Sequence, residues 1–361
     1  MSNKLPIKVF DFFSGCGGTS KGFLDSGMDV VFALDNDPEA ANTYKSNLPG
    51  VYFLESNIVD IKEEILIPII KKYQGSPLLF SGCAPCQPFT KQNTKRSTDQ
   101  KQIFLLSEFQ RFVKYFRPEY VFVENVPGLQ RVENRDGPFS DFVETLSSLG
   151  YFLKYNVIAS QDYGVPQRRR RFVLIASRLG PIDFPTKTHG IGTHNPDYST
   201  VFEWIGDFPS IKAGELHLNI PNHRAANLSE INLTRIQSTP HGGSRLDWPS
   251  ELKLSCHSSG YEGHTDVYGR LRWNEPATGL TTRCISLSNG RFGHPEQDRA
   301  ISVREAASLQ TFPRDYIFYG SLSSMARQIG NAVPVLLAKR FGENFNQHLT
   351  KFIPLEKNGN I

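Results

Sequence analysis

Cysteine is scarce and badly placed for cross-linking: five in 361 residues, at positions 16, 83, 86, 256 and 284. An odd, scattered set is not a disulfide framework, so a reducing cytoplasm is the expected home. No apolar run is long enough to cross a bilayer. The opening MSNKLPIKVFDFF carries no apolar stretch before a small-residue cleavage site, and no secretory signal is expected. Neither sign of charge dominates, with 40 Lys and Arg against 36 Asp and Glu, a formal net charge of +4. That balance permits a nucleic-acid partner without demanding one. Internal repeats and low-complexity tracts are absent. The dinucleotide fingerprint G-x-G-x-x-G is missing too, which argues against a nicotinamide oxidoreductase.

What is present is an ordinary globular mixture, 39% hydrophobic and 21% charged. The length exceeds what one compact core usually holds, so two domains are expected. Apolar runs at Ile7–Phe13, Val30–Leu34, Pro77–Ser81, Tyr120–Val123, Tyr155–Ala159 and Phe172–Ala176 read as strands. Helical stretches alternate with them near Ser20–Asp25, Asp37–Ser46, Ile103–Phe116 and Phe139–Ser148. Such alternation implies an α/β fold with a mostly parallel sheet covered on both faces. Ligands then sit beyond the carboxyl ends of the strands. From about Pro181 the texture changes to Pro, Gly, His and Asn, and short strands and loops are expected to about Leu309. Arg304–Gln310 and Val333–Leu349 read as helical again.

Four constellations fall at strand ends. Asp11 to Gly18 (DFFSGCGG) is a strand running into a glycine turn and a helix. Glycine permits close backbone approach to a ligand, and a helix N-terminus offers free N–H groups. A plain tight turn would look the same. Asp35, ending the next strand, adds a carboxylate suited to ribose hydroxyls, which favours an adenosine-type cofactor. Ser81 to Thr90 (SGCAPCQPFT) places Cys86 on a loop. Its C-x-x-C with Cys83 could be a redox pair or half of a zinc site. Pro88 argues against the helix that a redox pair opens, and Cys256 and Cys284 stand too far apart to complete a zinc site. A single nucleophile, Cys86, fits better. The following loop to Lys101 carries Lys91, Lys95 and Arg96 and reads as a solvated surface or as a lid over a polyanion. Glu124 ends an apolar strand, where burying a carboxylate is costly unless it is paired or used. Gln167 to Arg171 (QRRRR) offers guanidinium forks suited to phosphate and base recognition, or simply a solvated face.

Taken with Arg304–Pro313 (REAASLQTFP) and Gln328–Pro334 (QIGNAVP), these blocks resemble, in order, the signatures of the DNA cytosine-5 methyltransferases of bacterial restriction-modification type. The resemblance spans nearly the whole chain. It implies a Rossmann-like S-adenosylmethionine-dependent methyltransferase sheet with a smaller, mostly β and loop target-recognition domain. The catalytic domain would comprise residues 1–184 completed by 322–361, with recognition domain and hinge at 185–321. The reaction implied is transfer of a methyl group to carbon 5 of a cytosine swung out of the duplex. The residue matching Cys86 adds to carbon 6, Glu124 protonates ring nitrogen 3, and Arg169 and Arg171 hold the backbone phosphate and base carbonyl. Phe13, Gly15, Cys16, Gly18, Asp35, Asn36, Asn57, Ile58, Pro85, Leu105, Asn331 and Ala332 would form the cofactor pocket, with no metal. Three departures stand out: Asn57 replaces a usual aspartate, Cys83 a usual glycine and Thr90 a usual serine. An amide oxygen at Asn57 still accepts a hydrogen bond. Double-stranded DNA would meet Gln87, Lys91, Arg96, Arg224, Arg235, Arg245, Arg270, Arg272 and Arg283, with His241 a further candidate. Only a few such residues usually read base edges. An RNA cytosine methyltransferase on the same scaffold is the nearest rival, and the size of the recognition domain favours duplex DNA. Compact length suggests a bacterial or phage enzyme with a cognate restriction endonuclease acting separately; the resemblance implies a monomer, cytoplasmic and nucleoid-associated.

Overall fold

A computed structural model describes residues 6–84, 100–128, 137–192, 194–255 and 265–352. The first half runs β1 (Lys8–Phe12), α1 (Gly18–Asp25), β2 (Asp29–Asp35), α2 (Pro38–Asn47), β3 (Tyr52–Glu55), α3 (Ile67–Lys72) and β4 (Leu78–Gly82). It continues through α4 (Gln100–Phe116), β5 (Tyr120–Asn125), α5 (Pro138–Ser148), β6 (Phe152–Ala159), β7 (Gln167–Arg168) and β8 (Arg170–Ser177). Seven of these strands form one sheet in the order β3-β2-β1-β4-β5-β8-β6. The strands from β3 to β5 are parallel, and β8 runs antiparallel to both neighbours.

Side-chain alternation explains the layering. Phe10 and Phe12 of β1 join Phe32, Phe80, Phe109 and Phe112 in a core on one face. Ile7 and Val9 join Val30, Tyr120, Phe122, Phe341 and Phe345 in a core on the other. Period-two residues thus bury both faces, as a sheet covered by helices requires. Helix α2 starts where Asp37 accepts hydrogen bonds from the Glu39 and Ala40 N–H groups at 3.0 and 3.3 Å, with Pro38 in the first turn.

The second half holds α6 (Val201–Ile205), α7 (Glu230–Gln237), β9 (Ala277–Thr278), α8 (Val303–Leu309), α9 (Leu322–Asn331) and α10 (Val335–Leu349). The short strands expected beyond Pro181 are nearly absent: among the described residues from 181 to 309, β9 alone is a strand, pairing with β7. Buried arginines bonded to backbone carbonyls take the place of ladders. Arg270 donates to the carbonyls of Ile236, Thr239, His294 and Gln297 and pairs with Asp298. Arg299 meets Glu305 at 2.7 Å with both side chains fully buried. Each such guanidinium satisfies carbonyls that irregular backbone leaves without partners.

The end of the described chain returns to the sheet. Asn346 of α10 donates to the Ser26 carbonyl at 2.8 Å. Gly22 of α1 packs directly against the backbone at Val335, where no Cβ would fit. No described helix is long and apolar enough to cross a membrane.

Candidate active site

The strand order reverses direction at β1, with β2 on one side and β4 on the other, and a cleft opens beyond these strand ends. It measures about 370 Å³ and is bounded by the turn after β1, the ends of β2, β4 and β5, Arg169 and Arg171, and the α9 C-terminus.

The turn after β1 is shaped by backbone that side chains rarely adopt. Phe13 holds φ at 59°, a left-handed conformation uncommon for an aromatic residue and a pointer to function. Gly15 has φ at 52°, and a Cβ there would meet open space within the cleft. Its N–H donates to the Asp35 carboxylate at 2.7 Å, and the other Asp35 oxygen accepts the Asp37 N–H at 2.9 Å. Burial raises the Asp35 pKa, opposed by these two N–H groups. Gly18 serves packing instead: its Cβ would lie 2.5 Å from the Val333 carbonyl oxygen.

On the opposite wall, Glu124 is 6% exposed at the end of β5. Burial raises its pKa, while Arg171 and then Arg169 pull it down. Arg171 Nε lies 3.0 Å from Glu124 Oε1. A carboxyl held this way keeps its proton more readily than a free one. The neighbouring Asn125 donates to the Ala84 carbonyl at 2.9 Å and accepts the Val126 N–H at 2.7 Å. It ties β5 to the segment leading from β4 towards Cys86. The asparagine was visible within its motif, but its role depends on a contact between distant residues.

The cleft brings together Phe13, Gly15, Cys16, Gly18, Asp35, Asn36, Asn331 and Ala332 with Glu124, Arg169 and Arg171. It does not include Asn57, Ile58 or Leu105. Asn57 accepts the Val59 N–H at 3.4 Å, Ile58 is buried in the sheet core, and Leu105 packs against that core. Arg327 and Gln328 line the cleft and were not foreseen; Arg327 pairs with Asp37 at 3.0 Å. Pro85, Cys86, Gln87, Lys91 and Arg96 lie outside the described residues. The described cysteines make poor nucleophiles: burial pushes Cys16 and Cys284 up to about 12 and raises Cys83 as well.

Arg169 departs from its expected phosphate contact. It is 3% exposed, and its guanidinium donates to the carbonyls of Leu280, Gly330 and Ala332 at 2.8, 2.9 and 3.2 Å. A phosphate would have to displace these bonds. The arginines nominated for DNA divide in the same way. Arg270 is an internal strut, Arg245 is buried, and Arg235 bonds the Leu252 carbonyl and stacks over Trp248 and Tyr268. Arg224, Arg272 and Arg283 are exposed, as is His241. Among the described residues no cluster of His, Cys, Asp and Glu could hold a metal.

The family model described as C-5 cytosine-specific DNA methylase matches residues 7–347. The chain belongs to that family. This C-5 cytosine-specific DNA methylase is therefore a DNA (cytosine-5-)-methyltransferase. It is 41% identical over 348 residues to the Type II methylase M.HgiDII of Herpetosiphon aurantiacus, covering 94% of this chain and 95% of that protein. It is 33% identical to the Type II methyltransferase M1.HphI of Haemophilus parahaemolyticus, covering 94% and 86%. A putative DNA modification methyltransferase encoded within an E. coli prophage shares the fold of the methylase. The TM-score is 0.75 at 23% identity, over 95% of this chain and 99% of the other.

Proposed function

We propose that this methyltransferase modifies cytosine in double-stranded DNA through a covalent adduct with Cys86, on a base swung out of the helix. The observation that carries the reading is Glu124, buried with a raised pKa in the same cleft as the Gly15–Asp35 turn. A carboxyl whose burial favours its protonated form can donate to ring nitrogen 3 while a thiolate adds to carbon 6, so the π electrons move towards carbon 5. Arg171 holds Glu124 in place and offers a cation to the base carbonyl. Loss of the carbon 5 proton to solvent then lets the electron pair re-form the double bond and expel the Cys86 thiolate, while nitrogen 3 returns its proton to the Glu124 carboxylate. Cys86 follows β4 in the sequence, and burial disfavours the thiolates of Cys16, Cys83 and Cys284.

The residues of the turn fit S-adenosylmethionine. Asp35 offers a carboxylate to ribose hydroxyls, Phe13 an apolar face, and Gly15 open space for close approach. Asn331 and Ala332 close the other side. When bound, that molecule supplies an electrophilic sulfonium methyl for carbon 5.

In this reading residues 1–184 and 322–361 form the catalytic domain and 185–321 the recognition domain and hinge. The enzyme works as a cytoplasmic, nucleoid-associated monomer that shields host DNA from a separate restriction endonuclease. Radiolabelled methyl transfer to plasmid DNA and to total RNA, followed by bisulfite mapping of the plasmid, tests it. Label at a fixed cytosine motif in DNA is expected. Label confined to RNA would overturn it.

A further inference from the structure

The buried polar groups around Arg169 join two parts of the protein with different tasks. Leu280 sits in the segment Gly279–Arg283, which ends in the exposed residues Thr282 and Arg283. Both backbone groups of Leu280 are clamped: its N–H donates to Gln167 Oε1 at 3.0 Å, and its carbonyl accepts from Arg169 at 2.8 Å. Gln167 passes the connection on, donating to Gln310 Oε1 at 2.6 Å and to the Leu309 carbonyl at 3.0 Å. Gln310 in turn donates to the carbonyls of Ile329 and Ala332 at 2.6 and 3.0 Å. Arg169 closes the ring on Gly330 and Ala332. Gly330, Asn331 and Ala332 are the lip of the cleft. Gly330 also packs against the Thr281 carbonyl so closely that a Cβ would not fit. Gln167 and Gln310 are fully buried and Arg169 nearly so.

We infer that Gln310, with Gln167 and Arg169, is a positioning residue that couples DNA engagement at Thr282–Arg283 to closure of the cofactor lip Gly330–Ala332. The geometry allows little independent movement. A shift of Leu280 must either carry the lip with it or leave buried donors and carbonyls unpaired, and an unpaired buried group is costly. Binding on either side therefore favours one arrangement of the shared network. By linkage, duplex DNA tightens the cofactor site by the same factor that cofactor tightens DNA binding. The inference rests on reading the cleft as the cofactor site and the 185–321 region as the DNA side.

The test measures the dissociation constant of S-adenosylhomocysteine by calorimetry. It is read with and without a duplex carrying the cytosine motif mapped by bisulfite sequencing. In the wild type the duplex should tighten binding by about tenfold or more, within the usual range of such couplings. Gln310→Met roughly keeps the side-chain volume and removes the Nε2 donor to the Ile329 and Ala332 carbonyls and the Oε1 acceptor of Gln167. Its ratio should fall to within about twofold of one, whatever affinity it keeps without DNA. A folded Gln310→Met protein that keeps the wild-type ratio would overturn the inference, as would a wild-type ratio near one. Wild-type protein that binds neither ligand would instead sink the methyltransferase reading. A second measurement needs no variant: hydrogen exchange at the amides of Gln328–Val333. Added duplex should slow exchange there in the absence of S-adenosylhomocysteine. Slowing confined to the 265–290 region would overturn the coupling.

Discussion

Two glycines three positions apart in one motif should fail for opposite reasons when replaced by alanine. In Gly18→Ala the new Cβ would lie 2.5 Å from the Val333 carbonyl oxygen, with Ala332 Cβ and the Phe312 ring each at 3.3 Å. Ordinary contact begins near 3.4 Å, so helix α1 and the Val333 backbone must separate by most of an ångström. Backbone on both sides leaves no flexible side chain to yield. Overpacking of this kind costs about 1–3 kcal/mol, which in a chain of this size lowers the melting temperature by roughly 1–4 °C. In Gly15→Ala nothing of the protein lies within 4 Å of the new Cβ, and only the left-handed φ of 52° is strained. That costs about 1–2 kcal/mol. The methyl group does intrude on the cleft, so binding of S-adenosylhomocysteine should weaken by about tenfold or more. Differential scanning calorimetry and isothermal titration, run on both variants, separate the effects. A Gly18→Ala protein melting within 1 °C of wild type would refute the packing argument. Unchanged affinity in Gly15→Ala would refute the placement of the cofactor.

Four other outcomes follow from the same geometry. Glu124→Gln keeps the shape and removes the ionisable proton, so the single-turnover methylation rate should drop by about 10²–10⁴-fold; a loss below tenfold would remove Glu124 from the chemistry. Asp11 is fully buried, and burial raises its pKa to about 7 from 3.8. The folded state then binds a proton that the unfolded state has released between those values, so stability falls as pH rises through that window, by up to about 4 kcal/mol. Asp11→Asn should flatten this slope in urea titrations from pH 4 to 8, and an unchanged slope would contradict the burial argument. Arg270→Ala strips donors from four carbonyls and should cost about 3–5 kcal/mol of stability. Arg283→Ala should leave the melt alone and reduce the salt dependence of DNA binding by about one unit of slope. The reverse pattern would place the DNA elsewhere.

The sheet was legible because buried parallel strands announce themselves. DVVFALD and YVFVEN are apolar runs ending at polar residues, and those ends are where Asp35 and Glu124 meet the cleft. The half-exposed edge strand Tyr52–Glu55 was missed, since four residues without alternation carry little signal. The second half was less legible. An arginine such as Arg270 looks like a phosphate contact in one dimension, and only the fold reveals the four carbonyls around it. Arg169 teaches the same lesson inside the site. Its motif marks it as functional, yet its partners Leu280, Gly330 and Ala332 lie more than a hundred residues away. Ile58 and the partly buried Leu105 pack with the sheet core, a placement that the motifs alone do not reveal.

The central claim is that Cys86 attacks carbon 6 of a cytosine in DNA. The most direct measurement is covalent trapping on duplex DNA containing 5-fluorocytosine in the presence of S-adenosylmethionine, comparing wild type with Cys86→Ala. Fluorine cannot depart as the proton does, so the bond between sulfur and carbon 6 should persist. The account predicts a complex that survives denaturation, requires the methyl donor, and is absent in Cys86→Ala. A folded wild-type protein that binds S-adenosylhomocysteine yet gives no adduct, or an adduct that persists in Cys86→Ala, would contradict it.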